Sequence, residues 1–234
     1  MTVYSWLAAG FLFFASALHA APGRILFEDH FDAASENAPL VYGPNTLEHG
    51  IWSSNHEGDG IALLSTDSAL SPPRSLALKV GAGGRAQVVG GFSDDGVQQL
   101  ADVTDAYTVR LAFLMKDAVA TWEFYISGEG GQPAVIRIDG NAYSYHKSEN
   151  AKIFGGLIAD VWYVLEVSVS PASSDTKSYT ANLYDAENAL LGSSNGAFQD
   201  PEASGSKFFT INHTNPDSTL YLDDITVTAA AKEP

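Results

Sequence analysis

The chain has 234 residues, 45% of them hydrophobic, no cysteine, and a formal charge of −16 from 12 basic and 28 acidic side chains. That length and apolar content suit one sizeable β domain or two small ones, and the absence of cysteine excludes disulfides and Cys-based zinc sites. So acidic a chain repels nucleic acid and anionic lipid, and it disfavours strongly anionic polymers as partners.

Residues 1–20, MTVYSWLAAGFLFFASALHA, carry an apolar run from Trp6 to Phe14 followed by small residues. This pattern predicts a secretory signal peptide cut near Ala20, too short in its apolar run for a membrane span. The expected destination is secretion, a bacterial periplasm or a cell surface, with no membrane insertion after cleavage. One domain is expected from 22 to 229, followed by a frayed tail over 230–234.

Short alternating runs then recur between Gly, Pro, Asn, Asp and Ser clusters. ILFEDHF (25–31) is the first predicted strand, and 33–70 is loop-rich with a weak strand at IALLS (61–65). SLALKV (75–80), AQVVGGF (86–92), YTVRLAFLM (107–115) and TWEFYIS (121–127) follow, with a short helix or turn possible over 94–103. AVIRID (134–139), NAYSYHK (141–147), WYVLEVSVS (162–170), SYTANLYD (178–185), KFFTIN (207–212) and LYLDDITV (220–227) complete the series. Many short strands with turn chemistry between them predict an all-β, two-sheet antiparallel sandwich or jelly roll.

The order of DVWYVLEVSVS, SYTANLYDAENALLGSS and FFTINHTNPDSTLYLDDITV, after the opening ILFEDHFD, resembles the concanavalin A-like lectin/glucanase superfamily, especially its laminin-G-like members. The resemblance spans roughly residues 24–228. It implies two packed antiparallel sheets, often with glycan bound on one face or at loop edges. The glycine usual in the turn after Asp185 is replaced here by Asn188.

Paired carboxylates for glycoside hydrolysis are not evident. Glu28 and Asp32 share a strand face but stand about 13 Å apart, beyond the roughly 5–9.5 Å such reactions need. The Glu-x-Asp-x-x-Glu strand of laminarinase-like enzymes is absent, and Glu123 stands alone. Tyr143, Tyr145 and His146, with Arg137 just before them, are candidates for lyase chemistry, in which Tyr or His moves a proton alpha to a carboxylate. The competing reading is that these tyrosines merely cover a sheet face.

Alternation assigns Trp122, Phe124 and Ile126 to the core and turns Glu123 and Tyr125 outward. It does the same for Arg137 against Ile136 and Ile138, and for Asn182 and Tyr184 against Ala181 and Leu183. Glu123, Tyr125, Arg137, Tyr143, Tyr145, Asn182 and Tyr184 are therefore candidate glycan-binding residues: flat rings for C–H faces and polar groups for hydroxyls. An ordinary polar outer face is the alternative. Trp52 is either a cap on the core or a stacking platform.

Two aspartates interrupt apolar faces near the chain ends. Asp29 lies on the face of Ile25, Phe27 and Phe31, and Asp223 on that of Tyr221, Ile225 and Val227. An inward carboxylate is costly unless compensated. A structural calcium ion held by Asp29 and Asp223, with Glu28 and Asp224 next in line, is one expectation, since calcium takes oxygen ligands. Hydrogen bonding to neighbouring loops is the other. No organic cofactor is expected. The leading functional expectation is non-catalytic binding of a glycan or polysaccharide. A polysaccharide-degrading enzyme, a lyase using Tyr/His chemistry ahead of a glycoside hydrolase, is the first alternative, and a structural surface protein without a small ligand the second.

Overall fold

The computed structural model describes residues 23–32, 50–94, 100–118, 120–146 and 149–229, with the backbone alone at 146 and 149. The expected signal peptide, much of the 33–70 segment and the C-terminal tail lie outside the described residues. Those described form an all-β sandwich of two eight-stranded antiparallel sheets, a jelly-roll architecture.

The first sheet runs in the order β14 (Leu190–Ala197), β13 (Ser178–Asp185), β12 (Trp162–Val169), β7 (Tyr107–Met115), β16 (Ser218–Ala229), β5 (Ser75–Val80) and β4 (Ile61–Ser65). The opening strand β1 (Arg24–Asp29) pairs with the C-terminal half of β16, so the first and last strands are neighbours. The second sheet runs β11 (Glu149–Gly155), β10 (Asn141–His146), β9 (Val135–Ile138), β8 (Trp122–Ser127), β15 (Phe208–His213), β6 (Gly84–Gly91) and β2 (Ile51–Ser54). The two-residue β3 (Glu57–Gly58) pairs with β6.

Period-two alternation explains most of these strands, which give one apolar face to the interior. Trp122, Phe124 and Ile126 of β8 meet Leu111 and Phe113 of β7 and Leu165 and Val167 of β12 in one core. Phe27 packs edge-on to Trp52 and Phe209, with ring centroids 4.8 and 4.9 Å away. Gly90 lies where a Cβ would run into the Phe209 ring, so only glycine lets β6 pass so close to it. Trp52 is fully buried in this cluster on β2, which makes it core and not a platform.

Two bulges alter the faces expected from alternation. The register of β1 shifts between Ile25 and Phe27, leaving Ile25 exposed while Leu26 and Phe27 both enter the core. In β16 the register shifts between Asp223 and Thr226, with Asp224 at φ 46°. A bulge adds a residue and reverses the side-chain phase beyond it. Tyr221 and Asp223 therefore sit on the outer side with Ala77, Leu114 and Ala112, while Ile225 and Val227 point inward. The expectation that Asp223 shares a face with Ile225 and Val227 is corrected by this bulge.

Residues 100–103 form no helix; Val103 instead makes an isolated bridge to Ser206. The edge strand β14 is not legible in the sequence, because its run of Gly, Ser and Asn buries no side chain fully.

Candidate functional site

Strand register lays out the outer face of the second sheet. Lys152, Tyr143, Arg137, Glu123, Asn212 and Gln87 are successive cross-strand partners over six strands. At about 4.8 Å per strand the row spans roughly 24 Å, long enough for several sugar rings. Tyr145 and Tyr125 lie two residues further along the same face, Tyr125 opposite Thr210. Five of the sequence candidates, Glu123, Tyr125, Arg137, Tyr143 and Tyr145, are thus brought onto one surface, each half-buried.

Arg137 has Glu123 and Tyr143 on either side and Asp139 Oδ2 at 3.5 Å from its Nε. That Nε is buried and not aligned to donate to any partner; Asn212 Oδ1, two strands away, is likewise buried without one. Neither atom is reachable from the face, so what these two residues offer outward is their remaining polar atoms: the terminal guanidinium nitrogens of Arg137 and the amide nitrogen of Asn212. Arg137 and Lys152 together balance Glu123 and Asp139, which leaves this region close to neutral within an acidic chain.

Gln87, Asn212 and His56 belong to this surface and were not singled out in the sequence. Alternation with Val88 and Ile211 could have found the first two. Gln87 Nε2 donates to the Tyr125 hydroxyl at 3.1 Å, and the Gln87 backbone N–H donates to His56 Nδ1 at 3.4 Å. Burial holds the His56 pKa below its ordinary value, which favours the neutral ring. No sequence pattern marks His56, since it sits in the turn after β2. The side chain of His146, one of the three lyase candidates, lies outside the described residues.

Asn182 and Tyr184 are on the other sheet. They share the outer face of the first sheet with Glu166 and Arg110, so the seven candidates do not form one site. Glu166 accepts from Arg110 at 3.1 Å, from Asn182 at 3.2 Å and from Tyr184 at 3.1 Å. The Arg110 guanidinium lies over the Tyr184 ring, 5.4 Å from its centroid. Burial first, and the Glu166 carboxylate second, hold the Tyr184 hydroxyl above its ordinary pKa.

The four acidic residues considered for calcium are each engaged by protein groups, Asp29 apart from the other three. Asp29 Oδ1 accepts from the Phe31 N–H at 2.7 Å and Oδ2 from the Trp52 indole N–H at 2.6 Å. Its carboxylate thereby ties β1 of the first sheet to β2 of the second. Asp223 Oδ2 accepts the Leu70 and Ser71 N–H groups at 2.8 and 3.0 Å, and Oδ1 the Asp224 N–H at 2.9 Å. Asp224 bonds His30 at 2.7 Å, and Glu28 lies 3.5 Å from the other nitrogen of that ring. Among the described residues, no group of three or more His, Asp or Glu side chains is placed to hold a metal ion.

No family model matches the chain, and no curated protein does either. Solved structures do. A protein of unknown function from Shewanella oneidensis superposes with a TM-score of 0.56 at 13% identity, covering 100% of this chain and 99% of that one. The marine alginate lyase of Aplysia kurodai gives 0.54 at 11%, covering 90% and 100%. Lectin II from Ulex europaeus gives 0.51 at 10%, covering 84% and 96%. At these identities the likeness is one of fold, a jelly roll found in both lectins and lyases.

Proposed function

We propose that this protein is an exported, non-catalytic polysaccharide-binding domain of the concanavalin A-like type. It takes its ligand along the outer face of the second sheet. The observation that carries the reading is the row Lys152–Tyr143–Arg137–Glu123–Asn212–Gln87, which sets a ring, amides and charged groups side by side across six strands of one face. Tyr143 and Tyr125 offer ring faces to sugar C–H groups, while the amides and charged groups bond hydroxyls. The near-neutral balance around Arg137 favours a neutral polysaccharide over a polyuronate.

A second reading has one observation in its favour. Gln87 bonds the Tyr125 hydroxyl through its side chain and His56 through its backbone N–H, and Tyr or His with a carboxylate-neutralising side chain is what β-elimination from a uronate needs. The lyases of similar fold act on alginate and on glucuronan by their names.

A glycan array probed with the mature protein, run beside an ultraviolet assay for unsaturated products on alginate and glucuronan, separates the readings. Retention of a neutral polysaccharide without product formation is the expected result. Unsaturated product that disappears in Tyr125→Phe would establish the lyase instead, and neither binding nor product would leave both readings without support.

A further inference from the structure

Two uncommon backbone conformations meet at a cavity on the opposite face of the sandwich. Asn188, φ 65°, closes the turn between β13 and β14, and Asp224, φ 46°, forms the bulge of β16. Glycine takes this left-handed region at no steric cost, whereas an L side chain there is retained against a local penalty. Such outliers gather where function over-determines them. Asn188 and Asp224, from unrelated elements, line the same cavity of about 160 Å³.

Each of the two side chains is put to use. The turn after Asp185 is already closed by backbone and side chain, since Asp185 Oδ1 accepts from the Ala189 N–H at 2.7 Å and its carbonyl from the Asn188 N–H at 3.1 Å. Glycine would complete that turn, but asparagine adds a carbonyl oxygen that accepts from Arg110 Nη2. Glu166 and the Tyr184 ring hold the same guanidinium from its other sides. Arg110 is thus oriented at the cavity wall with further N–H donors in hand. Asp224, which lines the same cavity, takes both of its side-chain hydrogen bonds, from His30 and from Ser71, on Oδ1. Its Oδ2 is the acceptor that remains. Leu70, Ala112 and Val164 supply the apolar part of the lining.

We propose that this cavity is a second carbohydrate site, which takes one neutral pyranose ring. Its volume lies below the roughly 300–1,000 Å³ of sites for drug-sized ligands, so a single ring is the occupant that fits. An apolar wall, oriented N–H donors and a carboxylate acceptor match a sugar's C–H face and hydroxyls. Anions are disfavoured because Glu166 already neutralises Arg110 and Asp224 adds negative charge. The site lies on the other sheet from the proposed polysaccharide face and does not depend on that reading.

Saturation-transfer NMR with the methyl pyranosides of glucose, galactose and mannose, and with an oligosaccharide of each, tests this. At least one hexoside should receive saturation from the wild-type protein. A signal confined to the terminal ring of the matching oligosaccharide would identify a chain end as the ligand; a signal from the methyl hexoside alone would identify the free sugar. Ala186→Trp fills the cavity and should abolish transfer. Asn188→Gly removes the carbonyl that orients Arg110 while relieving the left-handed backbone. It should therefore fold at least as well as wild type and bind about tenfold more weakly. Arg137→Ala/Tyr143→Ala, on the second sheet, should leave the signal of the methyl hexoside intact, whatever it does to the oligosaccharide. Absence of transfer in the wild type, or unchanged transfer in Asn188→Gly and in a folded Ala186→Trp, would overturn the proposal.

Discussion

Asp223 is fully buried beneath the loop that leads from β4 to β5, and burial raises its pKa to about 6 despite the N–H groups of Ser71, Asp224 and Leu70. The direction of the linkage follows. In the unfolded chain this carboxyl titrates near its ordinary value of 3.8, so between that value and about 6 the folded state binds the extra proton. The stabilisation from protonation is complete below the unfolded value and is lost as pH rises through the folded one. For a shift of this size, moving from about pH 7.5 to about pH 4.5 should favour the fold by about 2 kcal/mol through this residue alone. Other carboxylates titrate too, so the assay is a difference between wild type and Asp223→Asn in thermal melts across that range. The amide cannot ionise, and it keeps one acceptor for Leu70 and Ser71 while losing the bond from Asp224. Wild type should gain on the variant by about 4–8 °C on acidification, at roughly 2–4 °C per kcal/mol for a domain of this size. Parallel melting profiles would show that Asp223 carries no raised pKa, and would refute the account of its burial.

Asp29→Ala should destabilise the fold by about 2–4 kcal/mol, because it orphans the buried Trp52 indole N–H and the Phe31 N–H; denaturant unfolding followed by tryptophan fluorescence measures it. Since Asp29 and Asp223 are satisfied by N–H donors, calcium added to protein first freed of metal should leave the melting temperature unchanged, and a clear rise would reveal an ion site. Export should remove about the first 20 residues. Mass spectrometry should then find a mature N-terminus near Ala21, and an intact Met1 in a membrane fraction would contradict the signal peptide.

The strand succession was legible because each run alternates, and β4 falls on the IALLS run read from the sequence. Alternation separates inner from outer residues but says nothing about which of two sheets a strand joins. Asn182 and Tyr184 therefore point outward as expected, yet on the sheet opposite Arg137. Bulges were the second limit. Asp223 and Asp224 look like a charge intruding on an apolar stripe, and only the left-handed turn at Asp224 shows that the stripe changes sides there. Arg110 and Glu166 were hidden for a different reason. Each is the single charged residue of a largely apolar run, and their meaning lies in the cross-strand register that places them together. The departure at Asn188 was visible in the sequence, but its partner Arg110, 78 residues earlier, was not.

Equilibrium binding of the polysaccharide selected by the glycan array, compared between wild type and Arg137→Ala/Tyr143→Ala, tests the central claim most directly. Both side chains are half-buried surface groups at the middle of the proposed row, so the variant should keep its melting temperature within a few degrees. The account predicts affinity at least about tenfold weaker, the sum of a lost ring contact and lost hydrogen bonds. Undiminished affinity in the folded variant would contradict a ligand lying along this face.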